Sequence, residues 1–163
     1  MIEIIEQVRA MTGLDVKVHI GGNLEASPYV NEIKHMALMK PWIKLLGSLY
    51  GKDKEVFLAS GTYALHAMRE EAFGISITEY LKAGLIPIVP DEGGAREVVA
   101  NPALTYHDKK EAAEILARLI KDDTFREAQR IQCEQRAKMF SVDAYLKRQH
   151  LVLQSIIRNN GNE

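Results

Sequence analysis

The chain has 163 residues, enough for one domain with a substantial core, since domains cluster at about 100 to 150 residues. With 47% apolar and 26% charged residues it is neither disordered nor collagen-like. Its net charge of −1, from 21 basic and 22 acidic side chains, supplies no overall field for a polyanion, so no nucleic acid partner is expected.

The chain opens on MIEIIEQVRA, an acidic amphipathic helix with Ile2, Ile5, Val8 and Met11 on one face, and not a signal peptide. In an α/β architecture such a helix ordinarily follows a strand, so a further segment ahead of it is expected. Short apolar runs then alternate with helical patterns. DVKVHI (15–20), WIKLLG (42–47), TYALHA (62–67), LIPIVP (85–90) and ALTYH (103–107) read as strands. Between them PYVNEIKHMALM, GKDKEVFLAS, ISITEYLKAG and GAREVVA read as helices. Repeated strand then helix, with continuously apolar strands, predicts a Rossmann-like α/β fold: a parallel sheet with helices on both faces. After about residue 108 the pattern turns wholly helical. DKKEAAEILARLI, DDTFREAQRIQCEQRAKMF and SVDAYLKRQHLVLQSIIRN carry Asp or Ser at the N-cap position and are expected to pack on the sheet's flank over 108–158. The whole chain, 1–163, reads as one domain without repeat or linker.

Cys133 is the single cysteine, so no disulfide framework or zinc cluster is expected, and a reducing cytoplasm fits. No apolar run approaches the roughly 20 residues of a membrane span, which leaves a soluble chain that at most sits peripherally on a membrane. The basic stretch Arg126 to Lys138, with Lys147 and Arg148, is interleaved with acids at helical spacing and reads as a solvated face.

In open parallel sheets ligands bind at the carboxyl ends of the strands. Gly21 and Gly22, Gly47, His66, and Gly93 and Gly94 all fall at such ends and predict a ligand-facing rim. The sharpest feature is REEAFGISITEY (69–80). Gly74 lets a ligand approach the backbone, and the amides of Gly74, Ile75 and Ser76 open a helix whose unpaired N–H groups and dipole attract an anion. Glu71 and Glu79 flank that spot and suit hydroxyl groups rather than phosphate, because a carboxylate accepts two hydrogen bonds from a diol. A diphosphate with a ribose on one side and a hexose on the other, a nucleotide sugar, satisfies both acids. The competing account makes Ser76 and Glu79 a capping box, Glu71 an exposed loop acid and Phe73 a core anchor.

His66 stands where it could hydrogen-bond a phosphate or serve local structure. His19 reads as a core or sheet histidine, and His35, His107 and His150 have no acidic partner at triad-like spacing. Asp91 and Glu92 read as turn residues and Lys82 as solvated.

The segment HAMREEAFGISITEYLKAGLIPIVPDEGGAREVV resembles the signature of the retaining group-1 glycosyltransferases of GT-B fold. Glu71, Phe73, Gly74, Ser76, Glu79, Ala83, Gly84, Gly93, Gly94, Glu97 and Val98 match in register, and the similarity runs from VKVHIGG through the helix after ALTYHD. The resemblance implies that Glu79 holds the ribose hydroxyls and that Glu71, the candidate catalytic group, contacts the transferred sugar. Backbone amides at Phe73, Gly74, Ile75 and Ser76 would hold the sugar and β-phosphate, and Ser48 and Leu49 the nucleobase. It implies no metal and no cofactor beyond the nucleotide-sugar donor. LHAM with FGI and AG-I is similar to mannosyltransferases that extend dolichol-linked oligosaccharides, which suggests GDP-mannose in place of a UDP-sugar and a lipid-linked or glycan acceptor at a membrane. The family's diphosphate-neutralising Arg and Lys, and its N-terminal acceptor domain, have no counterpart in these residues, so the chain is expected to be a donor-binding half. A GT-B sugar-nucleotide epimerase and a non-catalytic nucleotide-binding module are the alternatives.

Overall fold

The structure is a computed structural model that describes residues 1–160, with side chains through residue 157. The first elements are α1 (Ile2–Thr12), β1 (Val18–Gly21), α2 (Pro28–Met39), β2 (Ile43–Gly47), α3 (Gly51–Ala59) and β3 (Tyr63–Leu65). They are followed by α4 (Ile75–Lys82), β4 (Ile86–Pro90), α5 (Gly93–Val99), a 3-10 turn (Pro102–Leu104) and β5 (Thr105–Tyr106). Three helices close the chain: α6 (Lys109–Lys121), α7 (Asp123–Lys138) and α8 (Val142–Asn160).

Local chemistry explains the boundaries. Ser27 accepts the amide of Val30 with Pro28 in the first turn of α2, and Asp108 accepts the amides of Lys110 and Glu111 at 2.8 and 2.9 Å to start α6. Asp122 accepts the amide of Phe125 to start α7, and the Ser141 hydroxyl accepts that of Ala144 to start α8. Helix α1 ends at Gly13, whose φ of 70° gives the left-handed cap that closes onto the carbonyl of Arg9.

All strand pairs are parallel, as expected, but they form two ladders and not one continuous sheet. One has the order β1-β2 and the other β3-β4-β5. Among the described residues no strand pairing joins β1 to β3. The second ladder is the buried one. Every residue of β4 is buried, and Ile86, Ile88 and Val89 meet Ile77 and Leu81 of α4, Val98 of α5 and Leu116 and Leu119 of α6 in one core. Complete burial of each such side chain stabilises by about 1.5–3 kcal/mol. A satellite cluster of Leu58, Ala64 and Leu85, with Phe57 and Tyr80 at its margin, seats α3 against β3 and the end of α4.

Two expectations change at this level. Helices α6 and α7 pack on the body of the fold, but α8 does not: Val142, Tyr145, Leu146, Leu153 and Ile157 are each more than half exposed. Most of its apolar face is therefore left exposed among the described residues. His19 lies in β1 as expected of a sheet histidine but is exposed, because the strand alternates and its odd-numbered positions face away from the core.

Candidate functional site

Strand β3 is fixed at its carboxyl end by an unusual exchange. The ladder with β4 repeats every two residues, with Ile86 N–H donating to Thr62 O and His66 N–H donating to Ile88 O. The next donor in that series would be residue 90, which is proline and has no N–H. The Tyr106 hydroxyl, from β5, donates to the His66 carbonyl instead at 2.8 Å. Burial raises the pKa of that phenol, which stays a neutral donor.

The loop that follows is seated by glycines. Gly94 N–H donates to the Glu71 carbonyl at 2.7 Å, and the Glu71 N–H donates to Arg69 O at 2.7 Å. A Cβ on Gly94 would lie 2.3 Å from Ala72 O, and one on Gly93, whose φ is 60°, would lie 2.7 Å from Glu71 O. At the end of β4 the pair sits with Gly94 buried beneath this loop and Gly93 exposed beside it. It is the floor on which the Glu71–Phe73 backbone rests.

On that floor Glu71 is held at one carboxylate oxygen. Oε1 accepts the N–H of Gly74 at 3.1 Å, and Oε2 stands 3.6 Å from Nε2 of His66, too far for a hydrogen bond. Glu71 is thus a half-buried group that caps α4, and not a free loop acid. Nε2 of His66 is buried with no hydrogen-bond partner among the described residues. Burial lowers its pKa, against a smaller upward pull from Glu71, so at neutral pH the ring is uncharged. A buried polar atom left unpaired is costly unless something else pairs with it.

Gly74, with φ 89° and ψ 59°, turns the chain into α4. Because its amide is taken by Glu71, the amides left for an anion are those of Phe73, Ile75 and Ser76, which have no partner among the described residues. Phe73 is 52% exposed and meets Phe140 edge-on at 6.4 Å, so it is a surface contact and not a core anchor. Glu79 does not close its own helix. Its Oε1 accepts from Nζ of Lys54 at 2.6 Å, a bridge to α3, which removes the capping-box account of this residue. Ser48 and Leu49 lie in the loop between β2 and α3, just ahead of the helix that carries Lys54, and Leu49 packs over Gly21. The predicted residues thus form one rim group (His66, Glu71, Phe73, Gly74, Ile75, Ser76, Glu79), with Ser48 and Leu49 joined to it through α3.

The family model for glycosyl transferases group 1 matches residues 1–139. The chain belongs to this family. No curated protein matches it significantly. Among solved structures it is similar to HepE of Anabaena in complex with UDP and glucose, with a TM-score of 0.76 and 21% identity over 94% of this chain and 44% of that one. It is likewise similar to the pneumococcal O-GlcNAc transferase GtfA in complex with UDP and GlcNAc (TM-score 0.72, 18% identity, 96% of this chain and 33% of that one). A glycosyltransferase from Rickettsia africae gives 0.73 at 17% identity, over 97% and 44% of the two chains. The chain spans less than half the length of each, and the fold is that of one half of a GT-B glycosyltransferase.

Around this rim the group 1 domain carries contacts that the sequence did not announce. Asp91, expected only to shape a turn, pairs with Arg96 at 3.3 Å and with His107 at 3.1 Å, while Glu111 lies 3.0 Å from the other ring nitrogen of His107. His107 therefore has two acidic partners, and they raise its pKa, Glu111 foremost. Arg69 donates to His107 O at 2.5 Å and pairs with Glu92 at 3.3 Å, tying the start of the loop to β5. The i,i+4 spacing of His107 and Glu111 was a usable signal; Asp91 and Lys54 act across elements and had none. Among the described residues no cluster of three or more His, Cys, Asp or Glu side chains suits a metal, and no helix is long and apolar enough to cross a membrane.

Proposed function

We propose that this domain is the donor-binding half of a retaining glycosyltransferase, which moves a sugar from a nucleoside diphosphate to an acceptor hydroxyl. The observation that carries this reading is the convergence at the start of α4: three open amides lie between the carboxylates of Glu71 and Glu79, with the unpaired Nε2 of His66 beside them. The amides of Ile75 and Ser76 receive the β-phosphate at the positive end of the helix. Glu79 takes the ribose hydroxyls, Glu71 faces the transferred sugar, His66 hydrogen-bonds a donor phosphate, and Ser48 and Leu49 flank the base.

Catalysis in such a site is positioning and electrostatic stabilisation of the departing diphosphate, with no covalent step asked of these residues. The acceptor, a glycan or a lipid-linked sugar at a membrane surface, is received by a separate acceptor half. UDP-glucose is the donor suggested by the UDP-bound structural relatives. GDP-mannose is the one suggested by the LHAM…FGI pattern, with mannose then the sugar transferred.

Titration calorimetry of the chain with UDP-glucose and GDP-mannose tests this. One of the two is expected to bind, with Glu79→Ala lowering affinity about tenfold through loss of charge-assisted hydrogen bonds. The purified chain is expected to show no sugar transfer. Absence of binding by either donor at millimolar concentration, or robust turnover by the chain alone, contradicts the reading.

A further inference from the structure

The contact between Lys54 and Glu79 joins two elements that meet at the rim. Lys54 sits one turn ahead of Leu58, the buried residue of α3 that packs with Ala64 and Leu85. Residues four apart share a helix face, so the packing that seats α3 also aims Lys54 at α4. Its ammonium donates to Oε1 of Glu79 at 2.6 Å, the two side chains being 40% and 32% exposed. Lys82, three residues on from Glu79 and the natural partner within α4, is exposed and makes no ion pair with it. Oε2 of Glu79 has no partner among the described residues.

We propose that Lys54 is a positioning residue of the nucleotide site: by holding Oε1 it turns Oε2 of Glu79 to the ribose diol, and so sets the preference for ribonucleotides over deoxyribonucleotides. This rests on the ribose contact proposed for Glu79. A carboxylate offers about four lone-pair sites on its two oxygens, so one ammonium contact leaves it able to accept from a diol while removing its rotational freedom. An ordinary exposed ion pair between helices contributes little and is indifferent to the ligand. Lys54 differs in gripping the one atom group assigned to the sugar, from the helix that immediately follows the base-flanking loop.

The test compares the affinities of UDP and GDP with those of their 2′-deoxy analogues for the full chain and for Lys54→Met, Lys54→Arg, Glu79→Ala and the Lys54→Met/Glu79→Ala pair. Thermal unfolding of each verifies folding. Lys54→Met is expected to weaken the bound ribonucleotide about fivefold to twentyfold and its deoxy analogue less than about twofold, as loss of one charge-assisted bond predicts. Lys54→Arg is expected to retain most of the preference, and adding Lys54→Met to Glu79→Ala to cost nothing further. Equal weakening of both nucleotides by Lys54→Met, or additive losses in the pair, overturns the proposal while leaving the ribose contact standing. If Glu79→Ala itself leaves the ribo-to-deoxyribo ratio unchanged, the ribose contact fails and this inference with it.

Discussion

His66 is held neutral by its surroundings although a carboxylate lies 3.6 Å from its Nε2. Desolvation lowers its pKa below the ordinary 6.5, so below that pH the unfolded chain binds more protons than the folded one, and stability declines as pH falls toward the folded pKa. A bound phosphate beside Nε2 reverses the balance, because an adjacent negative charge favours the imidazolium. Nucleotide binding is therefore expected to take up protons and to tighten as pH falls from the raised pKa of the bound state toward the lowered pKa of the free chain. Calorimetry in two buffers of different ionisation enthalpy measures that uptake, and His66→Gln is expected to abolish it. Proton release, or uptake unchanged in the variant, would place the phosphate elsewhere.

The loop between β3 and α4 is shaped by an element distant in sequence, the first turn of α5. Gly94→Ala puts a methyl group 2.3 Å from Ala72 O, so the Glu71–Phe73 backbone must lift and the Glu71–Gly74 hydrogen bond shift with it. The expected outcome is a loss of about 1–3 kcal/mol of stability, as for an overpacked site, and at least tenfold weaker nucleotide binding. Gly22→Ala is the control for stability: a Cβ there meets nothing within 4 Å, and the unfolding free energy is not expected to change. Equal stability of the two variants would remove the seating role. The same pair shows what could be read from the residues. The described strands and α-helices lie where apolar runs and periodic patterns put them, save that 103–104 of the last expected strand form a 3-10 turn, because those signals are local. Gly93 and Gly94 were assigned to the ligand because glycine after a strand is locally indistinguishable from glycine that accommodates another backbone. For α8 the amphipathic pattern was legible, but whether that face meets a neighbour is not written in the helix itself.

At the scale of the molecule the rim joins two unequal parts. The β3-β4-β5 ladder with α1, α4, α5, α6 and α7 contains the core, while β1, β2 and α2 are more exposed, α2 burying none of its residues. The satellite cluster around Leu58 and the Lys54–Glu79 bridge run from α3 to β3 and α4, and so tie the helix that follows Ser48 and Leu49 to α4. The grouping of His66, Glu71, Gly74 and Glu79 was legible because they fall within one segment. The links that hold the group, from Tyr106, Gly94 and Lys54, come from elements far along the chain and carry no pattern of their own. The most direct test follows the backbone amide resonances of the isotope-labelled chain during titration with UDP-glucose and with GDP-mannose. The account predicts that the donor that binds shifts Phe73, Gly74, Ile75 and Ser76 most strongly, with Glu79 and Leu49 next. Shifts confined to the amino-terminal ends of the strands, or a spectrum unmoved by millimolar amounts of either donor, would contradict it.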